Sequence, residues 1–201
     1  MRYTRLRPGA AEEYLRLVVP MFDEYARERF LPVLEDDNAD PETLIAALNF
    51  ARTRGVDMSE PRLRELFTAP WDGPFCRGLR EACLDAMVTL SADERLTARF
   101  LCRTAMITRD DLIEQLCEKG LERLKGSAAD VVLDELVYAD DGIQRRKFAL
   151  LLYRISKVRM PESLTFWGRA DQADVKRAAD MWRAEMKSRG VIPAGRVSSA
   201  N

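Results

Sequence analysis

Aspartates clustered between residues 36 and 40 are the first side chains in this sequence that could do chemistry. Asp36, Asp37 and Asp40 form the pattern D-D-x-x-D, whose hard carboxylate oxygens suit a Mg²⁺ ion that bridges to a diphosphate. The run Asp40-Pro41-Glu42 is also a helix start signal, with Asp40 as the N-cap. We therefore expect a capped helix behind an acidic loop and no metal site. A Mg²⁺-dependent helical enzyme that uses this loop is kept as an alternative.

Two other kinds of catalytic chemistry are restricted by composition. The sequence has no histidine, which excludes Ser-His-Asp and Cys-His nucleophiles, imidazole acid–base catalysis and every zinc site that needs histidine. Four cysteines are present, and none of them forms a Cys-x-x-Cys pair. We expect Cys76, Cys83, Cys102 and Cys117 to be reduced thiols in the core. The sequence therefore predicts no catalytic residue, no cofactor and no enzyme.

The distribution of charge along the chain is the strongest lead to a function. Residues 1–141 contain 19 Lys+Arg and 28 Asp+Glu, whereas residues 142–201 contain 13 Lys+Arg and 5 Asp+Glu. The whole chain is nearly neutral, with a formal net charge of -1, so it is not a globally basic nucleic-acid binder. The excess of basic residues in the C-terminal part and of acidic residues in the rest indicates one of two arrangements. Either a basic face binds an acidic partner, or one part of the chain docks on the other.

The basic residues of the C-terminal third follow helical spacing, and aromatic residues lie among them. Two predicted helices place their basic rows opposite apolar stripes, and Phe166-Trp167-Gly168-Arg169 lies between them in a predicted turn. Basic rows can follow phosphates and aromatic rings can stack on bases, as binding of RNA or single strands requires. The candidate nucleic-acid-binding residues are Arg146, Lys147, Tyr153, Arg154, Lys157, Trp167, Arg169, Lys176, Arg177, Arg183 and Lys187.

The elements that must position these residues are helices. Apolar residues recur at helical spacing along nearly the whole chain, and no stretch shows the two-residue alternation of a strand. The prediction is an all-α, single-domain multi-helix bundle of about eight or nine helices. Within it, residues 1–141 form an acidic helical body, residues 142–190 form basic helices packed on that body, and residues 191–201 form a flexible tail.

Local signals predict several helix ends. We expect a first helix over residues 11–30, kinked or split at Pro20, and a helix that begins at Pro41 and ends at Gly55. Ser91 and Glu94 read as a capping box, Thr108 as the next N-cap and Asp171 as the N-cap of the last helix. That last helix carries an apolar stripe, which consists of Val175, Ala178, Trp182 and Met186.

We expect no segment of the sequence to target or span a membrane. Glu12 and Glu13 interrupt the apolar core that a signal peptide needs. The longest apolar runs are about six residues, against the roughly 20 that a membrane-spanning helix requires. We therefore expect a cytoplasmic protein.

Two hypotheses for the function remain open at this point. The first is a non-catalytic helical binding subunit or adaptor of a larger assembly, which contacts single-stranded or RNA-containing nucleic acid through its basic C-terminal face. The alternative is a protein–protein interaction module, in which the same basic rows dock an acidic protein surface.

Overall fold

The computed structural model describes residues 24, 27–28, 31–56, 58 and 60–192. Over these residues the chain forms helices and connecting turns, with no strand. The predicted all-α helical bundle is therefore confirmed. Most of the predicted first helix and residues 193–201 of the predicted tail lie outside the described residues.

Eight helices follow the short helical stretch 31–34 within the described part of the chain. They are α1 Pro41–Arg54, α2 Glu60–Thr68, α3 Cys76–Leu90, α4 Glu94–Ile107, α5 Asp111–Tyr138, α6 Gly142–Ser156, α7 Leu164–Arg169 and α8 Gln172–Ser188. No described helix is both long enough and apolar enough to cross a membrane.

Helix α1 has both of the predicted ends. The Asp40 carboxylate accepts a hydrogen bond from the backbone N–H of Thr43 at 3.0 Å, and Pro41 occupies the first turn. The Thr43 hydroxyl also donates to this carboxylate and, with the backbone N–H, lowers the pKa of Asp40 below its ordinary value. At the other end Gly55 adopts φ 62°, a left-handed conformation that glycine adopts at no steric cost.

Two predicted caps are shifted by two residues. The N-cap of α4 is Asp93 and not Ser91, and the N-cap of α5 is Asp110 and not Thr108. Each aspartate accepts hydrogen bonds from two backbone N–H groups of its helix, which a negative charge at a helix N-terminus favours. The hydroxyls of Ser91 and Thr108 instead accept from the N–H groups of these two aspartates.

The predicted turn at residues 166–169 is helical. Ser163 accepts a hydrogen bond from the N–H of Phe166 at 3.2 Å and caps the six-residue helix α7. Local sequence favoured a turn because Gly168 lies in this segment, but the burial of Trp167 stabilises the helix. Two glycines allow α6 and α7 to approach closely, since a Cβ on Gly142 at the start of α6 would collide with the carbonyl group of Gly168, and a Cβ on Gly168 would lie 2.8 Å from Nε of Arg146.

The long helix α5 is interrupted once and packs at the centre of the bundle. Lys125 has φ 47° and ψ -112°, which divides α5 into two helical halves. Before the break, a Cβ on Gly120 would lie 2.6 Å from Leu84 and 2.7 Å from Leu101, so glycine allows α3 and α4 to approach closely. Helices α3, α4, α6 and α8 all pack against α5.

The basic C-terminal helices pack on the acidic body through this central helix. Helices α6 and α8 each contact α5, and α7 packs against α6. The first two residues of the predicted tail belong to the folded structure, because Val191 and Ile192 donate backbone hydrogen bonds to the Met186 carbonyl and Ile192 is buried. Gly190, with φ 68°, allows the chain to fold back at this point.

Candidate functional site

Each of the three aspartates of the predicted D-D-x-x-D motif makes a hydrogen bond or an ion pair within the fold. Asp36 accepts a hydrogen bond from the N–H of Asn38 at 2.9 Å, and Asp37 forms a 2.9 Å ion pair with Arg62. Asp40 is the α1 cap. No group of side chains suited to hold a metal ion occurs among the described residues. This geometry supports the predicted capped loop.

The cysteines are free thiols, and three of them are buried. Burial raises the pKa of Cys83, Cys102 and Cys117 to about 12 in each case. A thiol with such a pKa is protonated at neutral pH and is a poor nucleophile. Cys76, at the first position of α3, is half-buried, so the prediction of a core thiol holds for three of the four.

Native thiol titration is therefore expected to detect one fast-reacting cysteine per chain. In a disulfide-exchange assay at pH 8, Cys76 should react rapidly, whereas the other three thiols should react only when denaturant exposes them. Cys76→Ser should abolish the fast phase and leave three thiols in the denatured protein. Two or more fast thiols in the native wild type would contradict the buried positions.

Part of the charge asymmetry is neutralised inside the molecule. On α5, Asp130 and Asp134 receive ion pairs from both Arg95 of α4 and Arg183 of α8. Arg103 of α4 likewise pairs with Glu135 of α5 at 3.0 Å. The acidic body therefore binds one of the predicted C-terminal arginines itself, as the intramolecular interpretation of the charge pattern predicts.

Two further arginines of the predicted site also have internal partners. Arg154 of α6 donates to both carboxylate oxygens of Glu118 on α5, at 2.7 and 2.8 Å. Arg177 pairs with Asp174 on its own helix at 3.1 Å. With Arg183, three of the eleven predicted site residues are thus held by carboxylates of the same chain.

The prediction that Trp167 presents its ring to a base is wrong for this structure. The side chain has 0% exposure, and its ring packs against Trp182, with centroids 5.8 Å apart, and edge-on against Phe166. A fully buried ring has no face on which a base can stack. The predicted apolar stripe of the last helix explains this burial, because Trp182 belongs to that stripe and is itself only 1% exposed.

The remaining predicted site residues are exposed side chains without an ion pair to the described part of the chain. Lys176 and Lys187 lie on α8, Arg169 ends α7 and Lys157 is the C-cap of α6, whereas the others lie on α6. These cations therefore belong to three helices, of which α6 and α8 each pack against α5. The cations of this group are Arg146, Lys147, Lys157, Arg169, Lys176 and Lys187.

Helix α6 brings several of these residues together on one exposed stripe, which we call the α6 face. It consists of Arg146, Leu150 and Tyr153, which share one side of the helix, and Lys157, the left-handed C-cap residue (φ 55°) that directly follows it. Leu150 is 36% exposed and Tyr153 45% exposed. Along the chain, the apolar and the aromatic side chain lie between the two cations.

No known family model, curated protein or solved structure matches this chain.

Sequence reasoning missed Arg145, which is a buried structural residue. Its guanidinium donates to the carbonyl of Ala139 at 2.8 Å, the carbonyl of Ala170 at 2.9 Å and the side chain of Gln172 at 2.7 Å. Ala139 lies in the segment that joins α5 to α6, Ala170 lies in the segment that joins α7 to α8, and Gln172 is the first residue of α8. The only sequence signal was its position, one residue before Arg146 on the inward-facing side of the predicted helix.

A surface groove of about 550 Å³, which we call the end groove, was also not predicted. It lies where the C-terminal ends of α4 and α5 meet the N-terminal part of α6, whose Gln144 and Phe148 form one wall. Ile107 and Tyr138, which are 80% and 79% exposed, also line this groove. Large exposed apolar side chains that line one groove are typical of a contact surface.

Proposed function

We propose that this protein is a non-catalytic helical binding module that docks an acidic protein partner through the α6 face. The observation that carries the proposal is the pairing state of the basic residues. Arg146 and Lys157 on this face are exposed and form no ion pair with the described residues, whereas Arg154 beside them is neutralised by Glu118. The face therefore carries unbalanced positive charge that an acidic partner can neutralise.

The apolar members of the face favour a protein partner. Leu150 and Tyr153 lie between the two cations, and apolar side chains of a partner can cover them while its carboxylates pair with Arg146 and Lys157. An amphipathic partner helix fits this spacing, because its own side chains repeat at three and four residues. The burial of Trp167 removes the strongest aromatic feature that supported nucleic-acid binding.

A labelled acidic amphipathic peptide, built from Leu and Glu at heptad spacing, provides a direct test by fluorescence anisotropy. We expect binding that weakens as salt rises and that loses about tenfold in affinity for each of Arg146→Glu and Lys157→Glu. Leu150→Ser should weaken binding without changing its dependence on salt, because it removes only an apolar contact.

Lys176→Glu is the matched control for these substitutions. Lys176 is also exposed and without an ion pair to the described residues, but it lies on α8 and away from the α6 face. Its reversal should change the affinity much less than reversal at position 146 or 157. Equal losses from all three reversals, or no binding of the peptide at low salt, would contradict the proposed face.

Nucleic acid is the second candidate, and the exposed ring of Tyr153 between two unpaired cations favours it. A labelled single-stranded oligonucleotide, DNA or RNA, is the probe in the same assay. Each phosphate contact contributes a log–log salt slope of about -0.7 on a single strand, so contacts with Arg146 and Lys157 together give roughly -1.4. Tight oligonucleotide binding that Tyr153→Ala reduces, together with weak peptide binding, would establish this candidate in place of the first.

A further inference from the structure

The start of α6, next to the end groove, carries a further exposed apolar side chain, Ile143. Ile143 is 59% exposed and lies about 60° around the helix from Arg146, on the side that turns toward the groove wall at Gln144. With Ile107 and Tyr138, it makes three of the eight large apolar side chains that are exposed among the described residues. We call these three residues the apolar patch.

The charges that flank the apolar patch have opposite signs on its two sides. Asp140 precedes Ile143 by three residues and lines the groove, whereas Lys147 follows it by four residues. Both side chains are exposed, and neither has an ion pair with the described residues.

This arrangement is complementary to itself. If two copies meet about a two-fold axis near Ile143, the residues before Ile143 in one copy face the residues after it in the other. Asp140 then lies opposite the partner's Lys147, and the same pair forms twice. The Ile143 side chains meet at the axis, and each copy covers part of the other's groove.

We propose that a second copy of this chain covers the apolar patch and forms a two-fold symmetric dimer. Charge complementarity identifies the occupant, since a second copy supplies a Lys147 opposite Asp140 and an Asp140 opposite Lys147. A different protein would need a basic residue and an acidic residue at these same two places. Leu150 lies only about 20° around the helix from Ile143, so the dimer covers this member of the α6 face, and the second copy competes there with an acidic partner.

Sedimentation velocity of the 201-residue chain over a wide range of protein concentration tests this proposal. We expect a reversible increase from the 23.0 kDa of one chain to twice that mass. Ile143→Asp and Tyr138→Ser should each raise the dissociation constant about tenfold or more, because they remove contacts at the centre of the interface. Both positions are exposed in one chain, and thermal melting should show that the variants remain folded.

A charge exchange separates this geometry from non-specific association. Asp140→Lys alone and Lys147→Asp alone should each weaken the dimer, because each places like charges opposite one another. The double variant should recover most of the affinity, since the pair is restored with its signs exchanged. Failure of the double variant to recover would overturn the proposed two-fold axis.

Met181→Asp is the matched control, because Met181 is 58% exposed on α8, outside the apolar patch. It should leave the dissociation constant unchanged. A chain that stays monomeric at every concentration, or a dimer that Met181→Asp weakens as much as Ile143→Asp, would overturn the proposal. The measurement contains no acidic peptide, so its outcome is independent of the proposed function of the α6 face.

Discussion

Replacement of Trp167 by alanine is expected to lower the free energy of unfolding by about 3–5 kcal/mol, because it empties a fully buried site. The ring packs on Trp182 and Phe166, so its loss leaves a cavity between α7 and α8. For a chain of this length the melting temperature should fall by about 10 °C or more. Thermal unfolding followed by circular dichroism provides the measurement.

Two further variants test whether the loss of stability comes from the buried contact between Trp167 and Trp182. Trp182→Ala should cost a similar amount, and the double variant should cost less than the sum because the two rings share one contact. Tyr153→Ala, at an aromatic residue that is 45% exposed, should change the melting temperature little. A melting temperature for Trp167→Ala within a degree or two of wild type, with oligonucleotide affinity reduced, would return Trp167 to the binding surface.

The second large effect is expected at Arg145. Arg145→Met should destabilise the protein by about 3 kcal/mol, because it leaves the carbonyls of Ala139 and Ala170 without their donor in a buried environment. Denaturant unfolding provides the free energy. Arg145→Lys should recover only part of the lost free energy of unfolding, since a lysine ammonium lacks the planar guanidinium that reaches three acceptors.

Arg146→Met is the control for this prediction, because it removes the same functional group one residue further along α6. Arg146 is exposed and its one hydrogen bond is to the carbonyl of Gly142 on its own helix. The free energy of unfolding should therefore change by no more than about 0.5 kcal/mol. Equal destabilisation by the two substitutions would contradict the bridging role of Arg145.

Features that depend on neighbouring residues could be predicted from the sequence. The Asp40 cap, the left-handed Gly55 and the Asp171 cap each need only a few consecutive residues, and all three are present. The buried stripe of α8 follows equally from periodicity. Where two hydroxyl or carboxyl candidates lay close together, as at Ser91 and Asp93, local signals located the helix end only to within two residues.

Features that depend on distant parts of the chain could not be predicted. The pairing of Arg154 with Glu118 joins residues 36 positions apart, and the sequence gives only an excess of charge, not its partners. The burial of Trp167 depends on how α7 meets α8. The end groove arises where three helix ends converge, so it has no signature in any single segment.

Because α5 is interrupted at Lys125, the directions in which side chains of its second half point are not fixed by the helical repeat of its first half. Glu118, before the break, faces α6, whereas Asp130 and Asp134, after it, face α4 and α8. One residue inserted in a continuous helix turns everything beyond it by about 100°, which would move these carboxylates away from their arginines. At Lys125 the helical geometry is already interrupted. Insertions and deletions that arise in evolution should therefore be tolerated at this junction more readily than elsewhere in the helix.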